Sequence, residues 1–252
     1  MIPRYLLSDI KQNKKTKMKL IITNIATYKE KDAIVTGFNE NEVVTFRVPG
    51  LFSPKNKFAS LNNVLTIIEP TFSEARTSKH LLLKEAELLF SPMMGDMDFN
   101  YITAISILLE ATVKFVDDAE KPSIYNDLFN ALLALKNKIN PYLVSLKYLI
   151  SVMNMTGYEL SINHCVRCQE KKNIVAFSFV EGGFICKDCL TNEDHNDLEI
   201  PEMKLFRNLY LFNGYDFSSF KFDEKVVVSI LNKLNIFFKD AYGSNINAIK
   251  TL

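Results

Sequence analysis

Between residues 18 and 70, apolar and polar positions alternate in short runs: KLIITNIATY, DAIVTGF, EVVTFRV and VLTIIE. A period of two, carried by β-branched and aromatic residues, predicts β-strands. Asn39 and Asn41, Pro49-Gly50 and Asn62-Asn63 separate the runs with turn-forming residues. Four or five such strands in roughly sixty residues predict a small closed or nearly closed barrel. The run HLLLKEAELLF, residues 80–90, reads two ways. Its residues are good helix formers, yet it stands where a five-stranded barrel needs its last strand.

The pattern changes to a helical one from about residue 99 to 156. Tyr101, Ala104, Leu108, Ala111 and Phe115 recur at spacings of three and four, which marks one helix face. Ile102, Ile105, Leu109 and Val116 form a second stripe, so this helix is expected to be buried over much of its girth. Pro122 opens a second helix in its first turn, where a missing N–H costs nothing. Asn140-Pro141 ends that helix and starts a third, with Gly157 as its left-handed cap. Further on, 201–213 and 223–241 read as two more helices, opened by Pro201 and Asp223, the second closed by Gly243.

Between the third and fourth helices lies CVRCQEKKNIVAFSFVEGGFICKDC, which holds all four cysteines, Cys165, Cys168, Cys186 and Cys189. Two C-x-x-C pairs seventeen residues apart have the spacing of a structural zinc ribbon. Alternating Val175, Phe177 and Phe179, then Gly182-Gly183, predict a hairpin that brings the pairs together. Four thiolates at about 2.3 Å complete a tetrahedron with no position left for a reacting water. No βαβ pattern precedes the pairs, as a thioredoxin-like redox motif requires. No H-x-E accompanies them, as a nucleobase deaminase requires. His164 and His195 flank the cluster and are expected to be surface residues; His80, in an apolar run, is expected to be structural.

Charge adds less than its distribution first suggests. The net charge is +1. Residues 1–79 carry 13 Lys/Arg against 7 Asp/Glu, and residues 80–252 carry 17 against 22. Most of the basic excess lies in residues 1–17, MIPRYLLSDIKQNKKTK, a leader without the apolar core of an export signal. Two readings of it stand: a basic arm, or sequence upstream of a start at Met18. No stretch reaches the roughly 20 apolar residues that cross a bilayer. The expected location is therefore a reducing cytoplasm, where paired cysteines more often bind metal than form disulfides.

No phosphate loop, H-E-x-x-H or G-x-S-x-G occurs, and no acid–base constellation stands out. In the β region, basic and aromatic residues interleave: Tyr28, Lys29 and Lys31; Phe46 and Arg47; Phe52, Lys55, Lys57 and Phe58. Cationic loops with exposed rings suit single-stranded nucleic acid, through phosphate attraction and base stacking. Rings in the core with lysines in solvent explain the same pattern, and composition alone leaves both open.

The segment LKYLISVMNMTGYEL, followed by HCVRC and AFSFVEGGFICKDC, resembles the zinc-finger region of the RecO family of bacterial recombination mediators. YKEKDAIVTGF and VPGLFSPKNK, with Leu61, are similar to that family's N-terminal OB-fold. LLKEAELL resembles the segment that closes the barrel, which makes 80–86 the fifth strand. ISILLEATVKF, the Leu128–Leu135 stretch and the terminal SNINAIKTL also resemble the family, so the likeness runs from Met18 to the end. There are departures. Gln169 stands where the family has Gly after the second cysteine, the loop after Gly50 is less basic, and the leader has no counterpart.

The resemblance implies an α+β protein. An OB-fold barrel (18–86) follows the leader (1–17). A helical domain (87–162) comes next, then an inserted zinc ribbon (163–190), then C-terminal helices (191–252) that pack back on that domain. It implies a non-enzymatic, nucleoid-associated mediator of DNA repair, holding one structural Zn2+. Such a protein binds single- and double-stranded DNA, anneals complementary strands, and contacts the acidic tail of the single-stranded-DNA-binding protein. With RecR it helps load RecA. Tyr28, Lys29, Lys31, Arg47, Lys55, Lys57 and Phe58 are the candidate DNA contacts. The alternatives are an RNA-binding OB-fold and zinc-ribbon protein of translation or RNA processing, and a metal-dependent hydrolase.

Overall fold

The computed structural model describes residues 18–53, 55–73, 81–95 and 97–252. The leader 1–17 and His80 lie outside them. Five strands form the front of the molecule: β1 (Leu20–Tyr28), β2 (Asp32–Phe38), β3 (Val43–Val48), β4 (Ile67–Ser73) and β5 (Leu81–Phe90). They close in the order β1-β2-β3-β5-β4, with β3 and β5 parallel and the other pairs antiparallel. This is an OB-type barrel. Period two is visible in β3, where Val44, Phe46 and Val48 point inward and Thr45 and Arg47 outward. Leu20, Ile22, Val35, Leu51, Phe58 and Leu61 fill the same interior.

The fifth strand runs four residues beyond the expected 80–86, to Phe90. Its helix-forming residues are overruled by β4, with which it pairs from Ser73↔Leu82 to Ile67↔Phe90. That extension delivers Phe90 into a second, larger core. Ile21, Phe38, Leu65 and Ile67 join it there from the far side of the barrel wall. Phe38 meets Tyr125 edge-on at 6.0 Å between ring centres. The barrel therefore rests on the helices through apolar contact.

Five helices follow: α1 (Phe99–Phe115), α2 (Lys121–Lys136), α3 (Pro141–Met155), α4 (Ile200–Leu211) and α5 (Glu224–Tyr242). Side-chain caps start three of them. Asp98 accepts from the Tyr101 N–H, Asn140 from the Leu143 N–H and Asp223 from the Lys225 N–H. Gly157 and Gly243 turn left-handed after α3 and α5. At α4 a Glu199–Glu202 capping box accompanies Pro201. The central helix is α3, buried from Tyr142 through Ile150, and its Tyr148 hydroxyl meets Thr112 Oγ1 at 2.7 Å.

On α1, the Tyr101–Phe115 stripe is buried as expected, but the second stripe is only partly covered. Ile102 is 44 % exposed, while Ile105 and Leu109 are half-buried. α1 packs on α3, on the C-terminal 3₁₀ turn Asn247–Thr251 and, less extensively, on α2. Glu110 on α1 receives the N–H groups of Asn247 and Ala248 at 2.8 and 3.0 Å. This carboxylate pins the chain end to the helical body. Among the described residues, no helix is long and apolar enough to cross a membrane.

Candidate metal centre and nucleic-acid interface

A three-stranded sheet, β6 (Ser161–Cys165), β7 (Ile174–Ser178) and β8 (Gly183–Cys186), stands between α3 and α4 in the order β6-β8-β7. Gly182 takes φ 75° in the β7–β8 turn. Gly183 lies so close to β6 that a Cβ there would sit 2.4 Å from the Ser161 carbonyl oxygen. These two glycines let the hairpin fold back tightly enough to bring Cys186 to Cys165.

The knuckles are built by backbone hydrogen bonds. Cys165 C=O accepts from Gln169 N–H at 3.0 Å, and Cys165 N–H donates to Glu170 C=O at 2.7 Å. In the second, Cys186 C=O accepts from Cys189 and Leu190 N–H at 3.1 and 3.0 Å. Gln169 adopts φ 66°, the left-handed conformation that glycine takes without strain. The knuckle shape is thus kept, with glutamine carrying the strain.

The four sulfurs lie within 4.8 Å of one another. Cys168 and Cys186 Sγ are 3.6 Å apart, close to the ~3.8 Å edge of a tetrahedron with 2.3 Å metal–sulfur bonds. Burial opposes ionisation of Cys165, but N–H groups of Cys168, Cys186 and Arg167 outweigh it and bring the thiol down to about 6. The neighbouring thiols of Cys168 and Cys186 push Cys189 up to about 12. One thiolate forms easily here and a second is resisted by its neighbours. A cation removes that resistance, so the set fits a thiolate-bound metal ion. His164 Nδ1 meets Ser161 Oγ at 2.9 Å, and His195 is 88 % exposed beside Asp197. Neither histidine joins the cluster.

Arg167, inside the first C-x-x-C, ties the ribbon together. Its guanidinium pairs with Glu181 of the hairpin turn and with Asp194 beyond the second knuckle, and donates to the Cys189 carbonyl. It holds both carboxyls below the usual carboxylate range. The other face of the ribbon is aromatic. Phe177 and Phe179 pack against Phe206 of α4, and Phe179 against Phe237 of α5, at 5.1–6.0 Å. Asp197 fixes the approach by accepting from the Phe179 N–H at 2.6 Å.

On the barrel, β1 and β2 extend as a hairpin whose turn is Lys29–Lys31, with Lys29 at φ 57°. Tyr28 at its base is 38 % exposed, with Lys29 Nζ 5.5 Å and Arg47 Cζ 5.4 Å from its ring centre. Asp32 organises this corner. One carboxylate oxygen accepts from Arg47 Nε at 2.9 Å and from its Nη2, and the other from the Gly50 N–H at 2.7 Å. The Gly50 N–H, followed by Arg47, lowers the Asp32 pKa. Asp32 was not among the expected site residues. Its role depends on the pairing of Ala33 with Val48 across two strands.

Lys31 is exposed, and its carbonyl accepts from Phe52 N–H at 3.0 Å. Lys55 is exposed in the following loop, and Lys57 donates to the Lys84 carbonyl at 2.9 Å. Phe58 departs from the expectation of a ring open to bases. It is 6 % exposed and part of the barrel core, because the 3₁₀ turn Ala59–Leu61 folds its side chain inward. The exposed ring of this loop is Phe52, at 38 %. Tyr28, Lys29 and Arg47 are thus grouped by direct contacts, Lys31 and Phe52 are joined through their backbones, and Lys55 and Lys57 lie further along the same loop.

Helical body and four-cysteine ribbon lie within the segment that matches one family. The family described as "Recombination protein O C terminal" matches residues 97–246, more than half of the chain. The chain belongs to the RecO family. Among curated relatives, the protein named DNA repair protein RecO of Oceanobacillus iheyensis is 26 % identical over 228 residues, 88 % of this chain and 86 % of its own. That of Bacillus cytotoxicus is 24 % identical over 233 residues, covering 90 % of this chain and 92 % of its own. That of Bacillus anthracis is 25 % identical over 232 residues, with coverage of 90 % and 92 %. Family membership makes the chain a member of a group of DNA repair proteins, with the OB-type barrel and the cysteine cluster as its two built features.

Proposed function

We propose that this protein is a recombination mediator that binds single- and double-stranded DNA and anneals complementary strands. With RecR, it helps load RecA onto strands coated by the single-stranded-DNA-binding protein, whose acidic tail it contacts. The observation that carries the reading is the barrel corner where Asp32 sets Arg47 beside the exposed ring of Tyr28, with Lys29 on the same ring. The ring, held by Arg47, offers a base a stacking face, and Lys29, which is in no ion pair among the described residues, offers its phosphates a counter-charge. The proposed DNA contacts are Tyr28, Lys29, Lys31, Arg47, Lys55 and Lys57. Phe52 takes the place of the buried Phe58.

Annealing requires only that two phosphate backbones be brought together against their repulsion, which a cationic surface does without covalent chemistry. The reading accordingly assigns no catalytic residue. Cys165, Cys168, Cys186 and Cys189 hold one structural zinc, the ion suited to a closed four-thiolate site. The chain divides as an OB barrel that ends with β5 at residue 90 rather than at 86, a helical body up to 162 and again at 191–252, and the ribbon at 163–190 between them.

Competition separates this reading from an RNA-binding one. A labelled 30-mer oligothymidine bound to the protein is titrated with unlabelled DNA and RNA strands of matched sequence. DNA displacing the probe at least as well as RNA, together with faster annealing of complementary DNA, supports the proposal. RNA displacing it tenfold more effectively, with no annealing, refutes it.

A further inference from the structure

Of the fifteen large apolar side chains exposed among the described residues, six lie on α1 and in the segment that leads into it. On the helix, Phe99, Ile102, Ser106, Leu109 and Val113 recur at spacings of three and four, which places them in one stripe. Phe99 is 58 % and Val113 53 % exposed, and Leu109 is half-buried. Met93, Met94 and Met97, just before the helix, are exposed as well. Covering these three methionines with Phe99, Ile102 and Val113 removes on the order of 700 Å² per chain, against ~800 Å² per partner in a standard specific interface. A lone chain rarely leaves an apolar patch larger than about 300–600 Å².

The stripe itself carries no charge. Glu110 and Lys114 stand beside it, pair with each other at 2.5 Å, and are held further by the Asn247 and Ala248 N–H groups and the Asn245 carbonyl. Asp98, at the helix start, accepts from the Tyr101 N–H at 2.8 Å. These charges are satisfied within the chain, so they ask no complementary charge of a partner. The one polar residue of the stripe, Ser106, donates its hydroxyl to the Ile102 carbonyl at 3.0 Å. It can therefore be covered without losing a hydrogen bond. The surface fits an apolar helix face.

The spacing of the stripe makes it complementary to itself. Ser106 is its midpoint, with Phe99 seven residues before and Val113 seven after. Two copies of α1 crossing antiparallel about Ser106 set the large Phe99 of each against the smaller Val113 of the other. Ile102 then meets Leu109. Serine at the crossing point lets the axes approach to the near end of the usual ~8–10 Å. The same arrangement keeps the two Glu110 carboxylates about 12 Å apart along the axis, whereas a parallel one would set each beside its copy. Such a contact is two-fold symmetric and closes after two copies.

We infer that α1 is the contact between two copies of this chain, paired antiparallel about Ser106 and flanked at each end by Met93, Met94 and Met97. The barrel corner formed by Tyr28, Arg47 and Lys29 takes no part in the contact. A pair therefore carries two barrels, and one particle can hold two strands. That consequence rests on the proposed DNA-binding function, but the pairing does not, so the two fail separately.

Sedimentation velocity of the full zinc-loaded chain, without DNA, tests the pairing. Over a range of about 1 to 100 μM the mass should reach that of two chains. Ile102→Glu, at an exposed position, should weaken self-association at least fiftyfold while zinc content and melting temperature stay those of the wild type. Ser106→Cys, a near-isosteric change, should be joined to its copy by a short bismaleimide, and the wild-type chain, whose cysteines all lie in the ribbon, should not. The mass of one chain at every concentration overturns the inference, as does pairing that Ile102→Glu leaves intact or a paired Ser106→Cys chain that is not cross-linked. Single-chain mass together with co-sedimentation on phosphatidylcholine vesicles would make the stripe a membrane contact and also overturn it.

Discussion

Replacing Lys29, Lys31, Lys55 and Lys57 together by Ala separates charge from stacking on the barrel. All four are exposed, and none is in an ion pair among the described residues. Each cation that meets a phosphate of a single strand adds about 0.7 to the slope of log affinity against log salt. Four of them account for a slope of about 2.8, so between 50 and 200 mM salt they produce about a fiftyfold fall in affinity. The quadruple variant should lose that dependence. Arg47 should behave differently, because Asp32 already neutralises it. Arg47→Ala is expected to change the slope little and to cost about 1 kcal/mol, from the lost contact with the Tyr28 ring. Tyr28→Ala should weaken binding by about 1–3 kcal/mol at every salt concentration. Anisotropy titrations with 30-mer oligothymidine from 50 to 400 mM salt measure all three. A quadruple variant with the wild-type slope, or Arg47→Ala flattening the slope as much as the four lysines together, would refute the assignment of this face.

Other perturbations test the ribbon and the chain end. Cys165→Ser should abolish the single zinc per chain and lower the melting temperature by about 10 °C, the equivalent of about 3 kcal/mol in a chain of this size; colorimetric zinc release and calorimetry check it, and full stability after complete zinc removal would contradict it. Gln169→Gly should stabilise the zinc-bound protein by about 0.5 kcal/mol, since glycine relieves the left-handed strain but loses more chain entropy on folding. Gln169→Val should destabilise it by about 1–2 kcal/mol; equal melting temperatures for the two would show that φ at 169 carries no strain. Burial works against the charged form of Glu110, yet Lys114 and the Asn247 and Ala248 N–H groups hold its carboxyl below the ordinary 4.5. Its contribution is therefore present above about pH 4.5 and lost as pH falls through the lower folded value. Glu110→Gln should cost about 1–2 kcal/mol at pH 7, with the difference from wild type shrinking below pH 4.5 in urea titrations; a difference independent of pH would exclude the role given to this carboxylate.

Much of this architecture is legible in the sequence because its local signals agree. Alternation in β2 and β3, the helix-start signals Asn140 and Asp223, and the left-handed Gly157 and Gly243 each act over a few residues. The cysteine spacing encodes the metal site in the same local way, and Gln169 takes the positive φ that its position in a knuckle requires. Features that depend on contacts far along the chain were not legible. LLLKEAELLF has helix propensity, and only its pairing with β4, together with the family resemblance, makes it a strand. Phe58 and Phe52 look alike in FSPKNKF, but a 3₁₀ turn sends one inward and leaves the other outside. Asp32 reads as a turn residue until strand register sets it against Arg47.

The central claim is that the barrel face brings DNA strands together. Its most direct measurement is the rate of annealing of complementary strands coated with the cognate single-stranded-DNA-binding protein, with and without RecR. The wild-type chain should accelerate annealing, and the variant lacking Lys29, Lys31, Lys55 and Lys57 should lose most of that acceleration while keeping its zinc and its melting temperature. Annealing by the variant at the wild-type rate would contradict the account.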